Sequence, residues 1–426
     1  MKVFQRIFAS AKVHGALWHA GPRILRLGSG IIASAVVARY LGPENFGILS
    51  FATMMATLAA GLVQLGSLEV VSKNAAVHPE KMRSLLRSAM KLRLGGALLA
   101  GIAISVLPVW FGHGALYLIL AILPLTFVPD YVEAAFYGRS DFRTLAPVRA
   151  FSSLLGMGLR LYLATHDKPI EAFAMVTVIE GGTTALLFLW FRKKIPGGNL
   201  PQAPFPSSLL FRQSMPLVAS SMVVAAMLKL DQLLLQALRP GADVGYYYVV
   251  VRLFEMAGVL IPSLVAVLLP DLARLRAVSE EAYERKMVFI YRRTYQLGLL
   301  AAVFGAVAAP WIIPLLFGAN YAPAVPIFVA YAFMFPSLVV GSVRAMEFVI
   351  SNKNMNHLLV SMLLLPLQLG FCAVGIHWFG PTGLAAAMAV VGFISTTVFS
   401  LILHPLRESG ALQRKALGGL LRWGAA

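Results

Sequence analysis

The chain has a single cysteine, Cys372, in 426 residues, and only 18 acidic side chains against 36 Lys and Arg. One thiol excludes an internal disulfide framework. The eight histidines never fall in ligand spacing with it or with one another, so no metal-binding pattern is present. Charge is scarce altogether: 13% of residues carry it, where about a quarter is ordinary for a soluble protein. A water-facing surface of normal size cannot be made from so few polar side chains. What is abundant is apolar, with 59% hydrophobic residues and a mean hydropathy of +0.77. Such a chain belongs in a bilayer. Each crossing takes roughly 20 apolar residues, so the length allows about a dozen.

Twelve apolar segments stand out, at 18–39, 45–72, 86–110, 114–137, 143–165, 169–191, 208–237, 243–269, 288–316, 323–350, 355–378 and 381–404. Helix-stopping signals separate them, among them "LGPENFG", "FGHG", "THDKP", "RPGAD", "FGANYAP" and "FGPTG". Trp18, Trp110, Trp190 and Trp378 sit at segment ends, where indole favours the headgroup region. The basic start "MKVFQR" and the run "SAVVA" imitate a signal peptide, but a second hydrophobic segment follows at once, so a first membrane helix is expected.

The positive charge is unevenly placed. With the amino terminus inside, basic residues cluster at Lys73–Arg93, at Arg192–Arg212, in the loop 271–293 and in the tail. The opposite side holds only Arg39, Lys168 and Arg239. The positive-inside rule then puts both termini in the cytoplasm. A nucleic-acid-binding protein would need a basic patch on a soluble folded face, and none is present.

The stretch "ARYLGPENFG" (38–47) falls in the first external turn. Gly42-Pro43 ends one helix and starts the next, with Pro suited to a first helical position. Glu44 and Arg39 sit at the helix ends whose dipoles they complement. The device recurs about 200 residues later, with Pro43 matching Pro240 and Gly47 matching Gly245, and "FGHG" echoed by "FGANY". Six helices followed by six, weakly similar, is a pattern of transporters built from parallel repeats. The expected division is an amphipathic segment 1–17, a first lobe 18–191, a linker 192–207 rich in Pro and Gly, a second lobe 208–404 and a basic tail 405–426. Both terminal segments are expected to lie as amphipathic helices on the inner leaflet.

These motifs resemble the bacterial polysaccharide transporter family, the Wzx-type flippases of lipid-linked oligosaccharides. That family belongs to the superfamily that also holds multidrug-and-toxin extruders and lipid II flippases. "ARYLGPENFG" is similar to its first-turn signature, and "KLDQLLL", "GADVGYYYVVVRLFE" and "FGANYAPAVPIF" to its second-half landmarks. The resemblance implies an all-α polytopic membrane protein of about twelve helices, in two six-helix lobes forming a V whose cavity opens to each side in turn. It implies a flippase that carries a polyprenyl-diphosphate-linked glycan to the outer leaflet of the bacterial inner membrane. The implied partners are that glycan, membrane lipids, and a polysaccharide polymerase with its export machinery. No cofactor is implied beyond H+ or Na+ as coupling ion.

Function should rest on charges left inside the membrane. Seven basic residues remain there: Arg23, Arg26, Arg149, Arg160, Lys229, Arg252 and Arg344. Each costs about 2.5–3.5 kcal/mol on insertion scales if it faces lipid, so each must line a wet cavity, pair with a carboxylate or snorkel. Arg149 and Arg160 share a helix face with Ser152, Ser153 and Gly156, which favours cavity lining. Arg252 with Glu255, and Arg344 with Glu347, stand at i,i+3 and can neutralise each other. Asp130 and Glu133 put like charges on one face, and Lys229 and Asp231 each need a partner elsewhere. Guanidinium forks match phosphate oxygens, so the basic set is the expected diphosphate site. Asp231, then Glu255, Asp130 and Glu133, are the candidate ion-coupling carboxylates. A drug/cation exporter of the same superfamily would want carboxylates to dominate the cavity. A membrane enzyme using lipid-linked sugars would want a large external loop with catalytic acids. The sequence favours neither.

Overall fold

In the computed structural model the described residues are 11–64, 68–77, 81–137, 145–194, 205–266, 268–351 and 353–419, and among them there is helix and turn but no strand. Each of the twelve apolar segments is helical there. By contact the chain forms two compact units. The first holds Met1–Leu41 and Ile48–Leu228, and the second Gly42–Gly47 and Lys229–Ala426.

The longer helices of the first unit are α1 (Ala11–Ala59), α2 (Leu68–Val77), α3 (Met82–Val106), α4 (Gly114–Leu120), α5 (Tyr131–Tyr137), α6 (Ala146–Ala164), α7 (Ile170–Phe191) and α8 (Ser207–Leu228). Those of the second are α9 (Leu230–Leu238), α10 (Ala242–Ala266), α11 (Leu269–Val278), α12 (Glu280–Phe317), α13 (Ala324–Ala332), α14 (Phe335–Ile350), α15 (Asn354–Phe393) and α16 (Arg407–Leu417). By length and composition, 7 stretches among the described residues can cross a membrane, or 8 if the bent pair in α8 counts as one. Two of these stretches are double. α1 breaks at Gly42 (φ 73°) and α15 at Gly380 (φ 60°), each before a proline. A left-handed φ is open to glycine, and the proline that follows opens the next arm. These breaks separate the segments 18–39 from 45–72, and 355–378 from 381–404.

Proline also divides two segments that read as continuous. In 114–137 the pieces Leu123–Thr126 and Val128–Asp130 intervene between α4 and α5, with Pro124 and Pro129 in their first turns. In 323–350, α13 gives way to α14, with Pro336 in its first turn. Proline lacks the N–H that a mid-helix position would need, so it settles where that donor is not used.

The two units each bury a core, and their outer faces are apolar. In the first, Leu85, Tyr131, Val132, Phe188 and Leu210 pack together. In the second, Met287, Tyr291, Val340 and Val343 do the same. On α12 the side chains Leu297, Leu300, Phe304, Val307, Trp311 and Leu315 are all exposed and recur at helical spacing. An apolar stripe of that length fits hydrocarbon and would be a liability in water.

Two boundaries differ from the sequence expectation. Helix α8, assigned by sequence to the second lobe, packs with the first unit, because the chain before it is pinned there. Ser88 Oγ donates to Phe205 O at 2.7 Å, and Phe205 N donates to Ser84 Oγ at 2.6 Å. Leu210 then enters the first core. The tail, expected as an amphipathic helix on the leaflet, instead buries Ser409, Leu412, Gln413 and Ala416 of α16, with Leu412 and Ala416 in the second core. Residues 1–10 of the expected amphipathic segment and 195–204 of the linker lie outside the described residues.

The turn Gly42–Gly47 belongs to the second unit, where the landmark motifs meet. A Cβ on Gly47 would lie 2.8 Å from Gly245 N, and one on Gly245 would collide with Pro43 O. Phe46 and Tyr246 both set ring edges on Tyr321, at 6.4 and 6.0 Å. "LGPENFG", "GADVGYYY" and "FGANY" are therefore packing signals, each needed where another approaches.

Candidate functional site

In the first unit the intramembrane arginines of α6 are held by carboxylates. Arg149 donates from Nη2 to Glu133 Oε2 at 2.5 Å and from Nε to Oε1 at 3.3 Å, and reaches Asp130 Oδ2 at 3.4 Å. Its guanidinium also lies 5.4 Å from the Phe188 ring centroid. The two acids that share a face in sequence are thus bridged by one cation. Nearby Arg93, assigned from sequence to a cytoplasmic loop, is buried and donates to Phe127 O at 3.2 Å.

Arg160 is paired as well. Its Nη1 donates to Glu180 Oε2 at 2.8 Å and its Nη2 to Thr177 Oγ1 at 3.2 Å. Gly156 makes room for this pair. A Cβ there would stand 2.5 Å from the Glu180 carboxylate and 3.0 Å from Arg160 Nη1. The small residues between Arg149 and Arg160, which in sequence suggest a polar groove, here admit a neighbouring carboxylate.

In the second unit Lys229 stands at the break between α8 and α9. Its Nζ donates to Glu255 Oε1 at 2.6 Å, while Arg252 Nη1 donates to Glu255 Oε2 at 3.0 Å. Two cations therefore converge on one carboxylate. The Arg252 side chain is 49% exposed, against 18% for Arg160. The expected i,i+3 contact of Arg252 with Glu255 is made.

Two residues on from Lys229, Asp231 is buried. Tyr247 donates its hydroxyl to Oδ2 at 2.6 Å, and among the described residues Oδ1 has no hydrogen-bond partner. Lys229 faces Glu255 instead, as the two-residue offset requires.

The second expected i,i+3 pair does not form. Arg344 donates to Ser395 O and to Ser400 Oγ, while Glu347 accepts from Tyr291 and, at 2.6 Å, from Ser409 Oγ on α16. The cause lies in the wide turn Ile394–Val398. There the Phe399 N–H bonds Ile394 O, five residues back, and leaves Ser395 O to the guanidinium. Arg344 is 6% exposed and Glu347 4%. Arg23 and Arg26 fall on α1, outside the residues whose side chains are described.

The shared face of Thr177 and Glu180 on α7 is legible from helical spacing, whereas sequence reasoning passes over Tyr247, Tyr291 and Ser409, which complete the other clusters. Tyr247 lies inside a landmark motif, and that is a usable signal. The others carry none apart from the three-dimensional register that brings them in.

A family model described as polysaccharide biosynthesis protein matches residues 36–326. No curated protein matches by sequence. Among solved structures, the lipid II flippase MurJ in an inward closed conformation aligns with a TM-score of 0.68 at 15% identity, covering 95% of this chain and 91% of that one. An inward-facing multidrug resistance MATE family transporter of the MOP superfamily gives 0.69 at 15%, covering 92% and 99%. The Vibrio cholerae MATE transporter VcmN in its bent form gives 0.54 at 17%, covering 93% and 94%. At such identity the likeness is one of fold: an all-α polytopic membrane architecture shared with these transporters.

Proposed function

The chain belongs to the polysaccharide biosynthesis protein family, and from that premise we propose that it is a flippase for a polyprenyl-diphosphate-linked glycan. In this reading the repeat unit moves from the cytoplasmic to the outer leaflet of a bacterial inner membrane, and both termini are cytoplasmic. No bond is made or broken in the cycle. The diphosphate needs a cationic partner to leave water, the sugars need a polar path, and the polyprenyl tail stays in lipid.

One observation carries the choice of anion site: Lys229 and Arg252 converge on the single carboxylate Glu255, with Arg252 nearly half-exposed. Arg149 and Arg160 are each engaged by acids, and Arg344 is enclosed. The guanidinium of Arg252 can therefore take phosphate oxygens while Lys229 keeps Glu255 neutralised. Arg23 and Arg26 stay in this proposal as further basic residues on α1. The drug-exporter reading is weaker, because in this cluster cations outnumber the acid that a cationic substrate would need.

Asp231 is the coupling carboxylate in this proposal. Its Oδ1 lacks a partner, so a proton or a Na+ ion has an oxygen to occupy. Glu255, Asp130 and Glu133 are already committed to arginine or lysine. The test is complementation of cell-surface glycan in a flippase-deficient strain. Arg252→Gln preserves the Lys229–Glu255 pair, so glycan should be lost at normal membrane level of the protein. Full glycan from this variant would overturn the site assignment.

A further inference from the structure

The first three turns of α12 and the end of α16 enclose a groove of about 420 Å³. It is lined by Glu281, Glu284, Arg285, Arg292 and Lys415 around an apolar floor of Val288 and Phe289. Two of its three cations are matched within it. Lys415 Nζ bonds Glu284 at 2.9 Å, and Arg285 faces Glu281 at 3.6 Å. Arg292 is not matched. Its Nε is buried with no hydrogen-bond partner, and no carboxylate lies within ion-pair distance of it among the described residues. The guanidinium is packed under Gly419, where a Cβ would stand 2.9 Å from Nε. A guanidinium held in place without a counter-charge is a receptor for an anion.

We infer that this groove binds the phosphate of an anionic phospholipid of the inner leaflet. Its position along α12 selects a lipid over a soluble anion. Charged residues run from Glu280 to Arg293, and the exposed apolar stripe begins at Leu297. The groove thus lies at headgroup level, just outside the point where acyl chains begin. Arg292 is the groove cation nearest the stripe on α12, so it meets the phosphate, and the acyl chains run from there along exposed Leu299 and Val303. The leaflet follows from the basic loop 271–293, which the positive-inside bias assigns to the cytoplasm. The inference depends on that orientation and not on which substrate is carried.

The test uses the full chain reconstituted in phosphatidylcholine vesicles with and without phosphatidylglycerol. Thermal unfolding is followed, and phosphatidylglycerol retained after re-extraction is counted. Phosphatidylglycerol should stabilise the unaltered protein. Arg292→Gln should retain about ten-fold less of it, the scale of one charged hydrogen bond. Gly419→Ala keeps the charge but displaces the guanidinium, and should also lower retention. Arg274→Gln, at an exposed cation of the same basic loop outside the groove, should change little. Equal retention by Arg292→Gln and the unaltered chain would overturn the inference. So would an equal loss in Arg274→Gln, which would mean diffuse attraction. Stabilisation by inorganic phosphate in phosphatidylcholine alone, equal to that by the lipid, would assign the groove to a soluble ion and overturn the lipid. None of these readouts involves transport, so failure here leaves the flippase proposal standing.

Discussion

Arg160 and Glu180 form a bond whose removal has a direction that can be predicted. Arg160→Ala leaves a carboxylate and Thr177 without their partner in a partly buried site, a loss of about 1–3 kcal/mol. The expected result is a lower membrane level, with Arg160→Lys recovering part of it and Arg160→Ala combined with Glu180→Gln most of it. Immunoblotting of membranes checks this, and a normal level of Arg160→Ala would show that the pair adds nothing to stability. Asp231 behaves differently, because only one of its oxygens is used. Asp231→Asn should fold normally and lose the dependence of transport on the ion gradient, measured in vesicles with an imposed gradient. Every charge in these clusters is legible in the sequence, and Glu180 is one partner it offers Arg160, but spacing does not fix pairs between different helices. Arg160 and Glu180 are 20 residues apart on consecutive helices, and their register depends on the turn between them. The i,i+3 rule holds for Arg252 and fails for Arg344. Spacing permits a contact, and the carbonyl released at Ile394–Val398 outcompetes it.

At the scale of elements, each of the twelve apolar runs is helical among the described residues, since hydrophobicity and helix length are both written locally. Their internal breaks are less legible. Pro124, Pro129 and Pro336 sit in the first turns of separate pieces, inside segments whose apolar runs are continuous. The tail misleads more. Its basic residues suggest a helix on the leaflet, but Leu412, Gln413 and Ala416 face the second core, and Tyr295 donates to Gln413 at 3.0 Å. Truncation after Gly410 should therefore cost at least about 2 kcal/mol, the value of burying one leucine. Thermal unfolding in detergent should show an earlier transition, and an unchanged one would mean the docked helix contributes nothing.

For the whole molecule, the positive-inside bias makes a topological prediction. A reporter after Ala426 should be cytoplasmic, and one in the "FGANYAP" turn external. An external carboxyl terminus would contradict the pairing of twelve segments. Under the proposed function the identity of the glycan leaves no trace in the residues, because turns and packing contacts set the motifs, and charges placed for a diphosphate would not read sugars. The central claim is the movement of a lipid-linked diphosphate, and it has a direct measurement. The purified chain is reconstituted in vesicles with a polyprenyl-diphosphate glycan, and glycan exposed on the far leaflet is captured with time. The unaltered protein should move it and Arg252→Gln should not, with both equally folded. Vesicles in which the unaltered protein exports an organic cation and leaves the glycan in place would contradict the account.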